Sequence, residues 1–271
     1  MNCIRFVTPR LALDAVCYRN YIPSELVAII AKYFQEEFVD NTTIKGAVDM
    51  WCSGDLREKC YLRFGHISYW DTSKVTDMSN LFKEKHFNDD ISNWDTSCVT
   101  DMSSMFESVD GFNQSLEKWN VSKVTNMSSM FICTDSFNQP LEKWNVSNVT
   151  DMSGMFYNAF RFNQPLEQWN VSKVDNMAFM FYVNSVYLSR FNQSLERWDV
   201  ANVTDMRSMF YGAINFNQPL GKWNVSNVIS MEDMFGNAIR FNQSLDKWKN
   251  ITINTNKKNM FHVDYEIDYS L

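Results

Sequence analysis

Tryptophan recurs at positions 70, 94, 119, 144, 169, 198, 223 and 248, at intervals of 24, 25, 25, 25, 29, 25 and 25 residues. A fixed period of this length marks one structural unit repeated along the chain, each copy too small to bury its own apolar side chains alone. The clearest copy, LEKWNVSNVTDMSGMFYNAFRFNQP from Leu141, is followed at once by LEQWNVSKVDNMAFMFYV. Aligning the copies with one another gives fixed columns L-x-x-W-x-V-x-x-V-x-x-M-x-x-M-F, a variable stretch, and F-N-Q.

Two hydrophobic periods share each unit. Trp144 and Val146, two apart, show the alternation of a short half-buried strand. Val149, Met152, Met155 and Phe156 are three and four apart, which predicts one face of a short helix. The column before the first Met reads Asp77, Asp101, Asn126, Asp151, Asn176, Asp205 and Ser230, all helix N-cap types. A side-chain oxygen there would satisfy N–H groups that a first helical turn leaves unpaired. The 29-residue interval places its extra residues between Phe181 and Phe191, in the stretch that varies most, as expected of a surface connection. The last copy, LDKWKNITINTNKKNMFHV, has Lys257 in a Met column and reads as a polar terminal cap. The expected fold class is therefore α/β, a leucine-rich-repeat-like solenoid of seven to eight strand-plus-short-helix repeats with a helical N-terminal cap. The expected division is a helical N-terminal segment over 1–45, a capping helix and linker over 46–66, the repeats over 67–261 and a tail over 262–271.

Composition narrows the alternatives. The 271 residues include 9 Trp, 16 Met and 21 Phe but only 8 Gly and 5 Pro, which excludes disorder and argues against a hairpin-rich barrel. A net charge of −7 argues against non-specific nucleic-acid binding. No apolar run reaches the length of a membrane span. Arg10 and Asp14 interrupt any signal-peptide core, and the six cysteines show no paired spacing, so an intracellular location with free thiols is expected.

The copies WDTSKVTDMSNLF, WDTSCVTDMSSMF and FNQPLEKWNVSNVTDMSGMF resemble the roughly 25-residue repeats of the BspA-like leucine-rich-repeat surface-protein family, over about residues 67–261. The resemblance implies an α/β solenoid that binds other macromolecules and brings no catalytic residues. Two departures matter. Val stands at the usual leucine-rich-repeat Asn position, so an inner Asn ladder would have to come from Asn113, Asn138, Asn163, Asn192, Asn217 and Asn242 of F-N-Q. Bacterial members are also typically exported, which makes a surface location the alternative. Separately, Ile22-Pro23-Ser24-Glu25-Leu26 opens a helical stretch over 22–38 that is similar to an F-box, with Val48, Trp51 and Cys52 in its blurred later part. That resemblance implies docking onto a ubiquitin-ligase adaptor; the plainer reading is a cap over the first repeat. Ile44, Ala47, Val48 and Trp51 mark a further helix face in that cap.

The columns beside Trp should face outward. Lys118, Lys143, Gln168, Arg197 and Lys222 lie on one side, and Asn120, Asn145, Asn170, Asp199 and Asn224 on the other. This polar strand face is the candidate partner-binding surface. Glu117, Glu142, Glu167 and Glu196 run alongside it, so mutual neutralisation of solvated charges is the competing reading. The Met-x-x-Met-Phe stripe reads as core rather than a soft-metal site. With three His, no H-E-x-x-H, no G-x-S-x-G and no Gly-rich phosphate loop, no enzyme, metal or cofactor is expected. The expectation is a non-enzymatic, monomeric protein-interaction scaffold; the alternatives are a ubiquitin-ligase substrate receptor and a cell-surface adhesin.

Overall fold

The computed structural model describes residues 39–184, 189–248 and 255–263. The F-box-like stretch at 22–38, Cys3, Cys17 and most of the tail lie outside them, as do the inserted residues 185–188. Among the described residues two helices precede the repeats: α1 over Ile44–Cys52 and α2 over Arg57–Phe64. A 3-10 turn at Ile67–Tyr69 leads into the first repeat.

From residue 70 onward the described residues contain turns, bends and single bridges, with no helix and no strand. This overturns the expected α/β, leucine-rich-repeat-like solenoid of strand-plus-helix units. Each repeat is instead a coil of consecutive β-turns. In the repeat from Leu141, i→i−3 bonds join Trp144 to Leu141, Val149 to Val146, Met155 to Met152, Ala159 to Phe156 and Phe162 to Ala159. Gly154 and Asn158, third in the turns at 152–155 and 156–159, have φ of 60° and 53°, the signature of type II turns. No i→i−4 ladder forms, because the alternate N–H groups turn outward along the stack. Met152, Gly154, Phe156 and Asn158 donate to the carbonyls of Asn176, Ala178, Met180 and Tyr182 in the following repeat, at 2.8–3.0 Å. One parallel bridge per junction then runs Asp77, Asp101, Asn126, Asp151, Asn176, Asp205, Ser230, Asn256.

The supposed N-cap column therefore caps no helix. Its side-chain oxygens accept from the N–H two residues on, as in Asp101 to Ser103 at 2.8 Å and Asp151 to Ser153 at 2.8 Å, and so open each turn series as Asx turns.

Packing explains why coils this irregular hold. The Phe that closes M-x-x-M-F in each copy stacks on its neighbour at 5.5–5.7 Å, from Phe82 through Phe261. The F-N-Q Phe column forms a second ladder at 6.0–6.2 Å, and the two ladders meet at 4.0–4.1 Å within each repeat. The Trp rings are a third ladder, and each Nε1–H donates to a carbonyl one step back: Trp144 to Leu116, Trp169 to Leu141, Trp198 to Leu166, all within 2.9–3.0 Å. That bond satisfies the polar atom of a nearly buried indole. The F-N-Q asparagines form the Asn ladder: Asn138 N–H donates to Asn113 Oδ1 and Asn163 N–H to Asn138 Oδ1, both at 2.9 Å.

The N-terminal end is covered. α1 buries Ile44, Ala47, Val48 and Trp51, and Asn41 Oδ1 accepts from Thr76 and Asp77 N–H at 2.8 and 3.2 Å. In later repeats a backbone carbonyl of the preceding copy takes the Thr N–H, as in Thr100 to Thr76 O at 2.8 Å, so one Asn side chain stands in for a missing repeat.

Candidate interaction surface

All ten sequence-selected residues, Lys118, Asn120, Lys143, Asn145, Gln168, Asn170, Arg197, Asp199, Lys222 and Asn224, are exposed. They lie on turns rather than on a strand face. Lys118, Lys143, Gln168, Arg197 and Lys222 each occupy the third position of a turn closed by the Trp N–H, such as Trp144 to Leu141 at 3.0 Å. Their neighbours on the other side of Trp are committed locally. Asn120, Asn145, Asn170, Asp199 and Asn224 accept through Oδ1 from the N–H two residues on, at 3.1–3.2 Å.

Part of the basic column is also engaged. Lys143 Nζ lies 2.7 Å from Glu117 and Lys222 Nζ 3.2 Å from Glu196, each crossing one repeat junction. The Glu117 carboxylate, by hydrogen bond and charge, holds Lys143 above its ordinary pKa. Exposed pairs of this kind contribute little stability. The face thus presents a regular polar surface in which most oxygen acceptors of the Asn column are already used.

A second surface follows the variable stretch between the two Phe columns. An open cleft of about 400 Å³ is lined there by Asp110, Asp135, Ser136, Phe160, Arg161 and Arg190. Burial and the nearby Asp110 push the Asp135 carboxyl up, against the pull of Arg161. Sequence reading marked this stretch only as variable. The available signal was that it departs from the repeat column by column, which core packing does not require.

Other chemistry is sparse. Among the described residues no group of three His, Cys, Asp or Glu side chains is placed to hold a metal ion. Asp71 and Asp95, equivalent in the repeat, accept from Ser73 and Ser97 N–H at 3.1 and 2.9 Å, as turn formers. Cys52, Cys60, Cys98 and Cys133 are free thiols. No helix among the described residues is long and apolar enough to cross a membrane.

A tandem stack of near-identical turns with continuous outward columns defines a repeat protein. The chain belongs to the family described as Mycoplasma protein of unknown function, DUF285, which it matches over residues 56–164, 83–189 and 164–270. No curated protein and no solved structure gives a significant match.

Proposed function

We propose that the chain is a non-enzymatic scaffold that binds a macromolecular partner along its repeat surface. The observation that carries this reading is the separation of roles within each repeat. Apolar columns form the ladders inside, and the remaining columns are carried outward in register over successive copies. Such a surface offers many small contacts in one direction, which suits an extended partner better than a small substrate. The resemblance of the copies to BspA-like surface proteins supports the same reading, and an adhesin would use the same surface. The ubiquitin-ligase alternative needs the later part of an F-box, yet Val48 and Trp51 are buried in the cap.

The test is chemical cross-linking of the full chain in a cell extract, followed by mass spectrometry. Partner cross-links should map to outward columns of two or more repeats and vanish when the chain is unfolded in urea. Cross-links confined to residues 1–66, or capture unaffected by unfolding, would reject the scaffold.

A further inference from the structure

Two surfaces run along the stack, and they differ in residue type. The face beside the Trp column repeats Lys, Glu, Asn and Ser, and both Lys and Glu are depleted at interface cores. The variable stretch instead departs from the repeat toward Tyr, Phe, Ile and Arg, and Tyr and Arg dominate binding energy where proteins meet. Tyr157, Tyr182 and Tyr211 form a half-buried stack at 4.5 and 4.9 Å. Phe179, in the turn at 177–180 that precedes the variable stretch, packs edge-on to Tyr182 at 5.9 Å and is 36% exposed. Its φ of 61° is a conformation that a bulky side chain disfavours. The equivalent positions in the other repeats carry Asn80, Ser104, Ser129, Gly154, Ser208, Asp233 and Asn259, so the fold needs no aromatic there.

Charge on this edge is also ordered. Arg161, Arg190 and Arg240 occupy one column and are exposed, and among the described residues no carboxylate forms an ion pair with any of them. Arg161 and Arg190 share the cleft with Phe160, and Ile239, beside Arg240, is 51% exposed. Asp110 and Asp135 close the cleft at the other end.

The geometry points to the edge from Phe160 to Arg240 as the docking surface for a short acidic protein segment with apolar side chains between its carboxylates. The assignment rests on the scaffold reading and names its face and partner chemistry. Complementarity gives the sign: none of the three guanidinium groups is in an ion pair, Arg161 acting on the Asp135 carboxyl only by longer-range charge and Arg240 Nη1 donating to the neutral Asn215 Oδ1 at 2.7 Å, so the column keeps binding capacity for anions, and Arg binds carboxylates in a bidentate fork. It also limits length. Adjacent rungs about 4.8 Å apart put Arg161 and Arg240 about 14 Å apart, the reach of four or five extended residues. A longer polyanion such as nucleic acid would run onto Asp110 and Asp135, and it would meet a chain of net charge −7.

The experiment uses the full chain and a random linear peptide display library, followed by fluorescence anisotropy of the selected peptides. Peptides bearing two or more carboxylates interleaved with Leu, Ile or Phe should be enriched. The triple variant Arg161→Glu, Arg190→Glu, Arg240→Glu should bind them at least about tenfold more weakly, Phe179→Ser should also weaken them, and Lys118→Glu, Lys143→Glu, Lys222→Glu should leave affinity unchanged. Urea unfolding of each variant verifies that the stack is intact. Enriched peptides without acidic bias, or binding lost on the lysine reversal and kept on the arginine reversal, would overturn this edge and leave the scaffold standing. Selection of no peptide would overturn both. Dimerisation in sedimentation velocity that the arginine reversal abolishes would assign the edge to a second copy instead, and would also overturn the proposal.

Discussion

Trp169→Phe isolates the indole ladder. Trp169 is 3% exposed, donates from Nε1 to the Leu141 carbonyl at 3.0 Å, and lies 6.5 Å from both Trp144 and Trp198. Phenylalanine keeps an aromatic ring but has no donor, so the Leu141 carbonyl retains the Trp144 N–H and loses its second hydrogen bond, at about 0.5–1.5 kcal/mol. The smaller ring also leaves a void between two indoles, worth about 1–2 kcal/mol more by the usual cavity cost. The expected destabilisation is about 1.5–3.5 kcal/mol in all. Urea unfolding followed by tryptophan fluorescence measures it as a fall in midpoint at constant m-value. The same change at Trp248 loses the same kind of bond, to the Leu220 carbonyl at 2.9 Å, from the end of the described ladder. It should therefore cost less. A Trp169→Phe protein within about 0.5 kcal/mol of the parent, or a larger loss at Trp248, would refute the ladder as the source of stability.

Further outcomes follow from the turns and the cap. Gly212 has φ of 67°, and a Cβ there would collide with the Val183 carbonyl, so Gly212→Ala should lower stability by about 3 kcal/mol or more by thermal unfolding. Phe179→Gly should do the reverse, raising stability by about 0.5–1 kcal/mol as relief of the left-handed cost outweighs glycine's added chain entropy. Asn138→Ala deprives the Asn163 N–H of its acceptor and should cost about 1–2 kcal/mol, read by urea midpoint. Burial pushes the thiols of Cys52 and Cys60 up from 9.0 to about 11. Because the folded chain holds these protons more tightly, the associated stability is complete below pH 9 and is lost as pH rises toward 11. The urea midpoint should drop over that window, and the drop should flatten in Cys52→Ala, Cys60→Ala.

The period, the inward columns and the α1 face were all legible in the sequence, because burial imposes them on side-chain type. Backbone conformation was not, and the reason is geometric. Consecutive type II turns return to the same face after three and four residues, so Val149, Met152, Met155 and Phe156 display helical spacing without a helix. Two residue types sharpened the error. Asp and Asn before the first Met suit an Asx turn as well as an N-cap. The left-handed positions are filled mostly by Ser, Asn and Asp rather than Gly, so a low glycine count concealed a chain rich in turns. Exposure of Lys143 or Asn145 could be read from the columns, but the commitment of the Asn145 oxygen to Ser147 N–H could not. The Arg161, Arg190 and Arg240 column was hidden by the variability that sets it apart.

The bonds that join one repeat to the next, such as Met152 N–H to the Asn176 carbonyl, point along the stack. Tension applied between its two ends would therefore open them in sequence, as a zipper, rather than shear many at once. Each detached repeat of 25 residues would release about 80 Å of slack chain. A protein of this design would lengthen under load in even steps at low force, with Trp70 and its successors letting go one ring at a time.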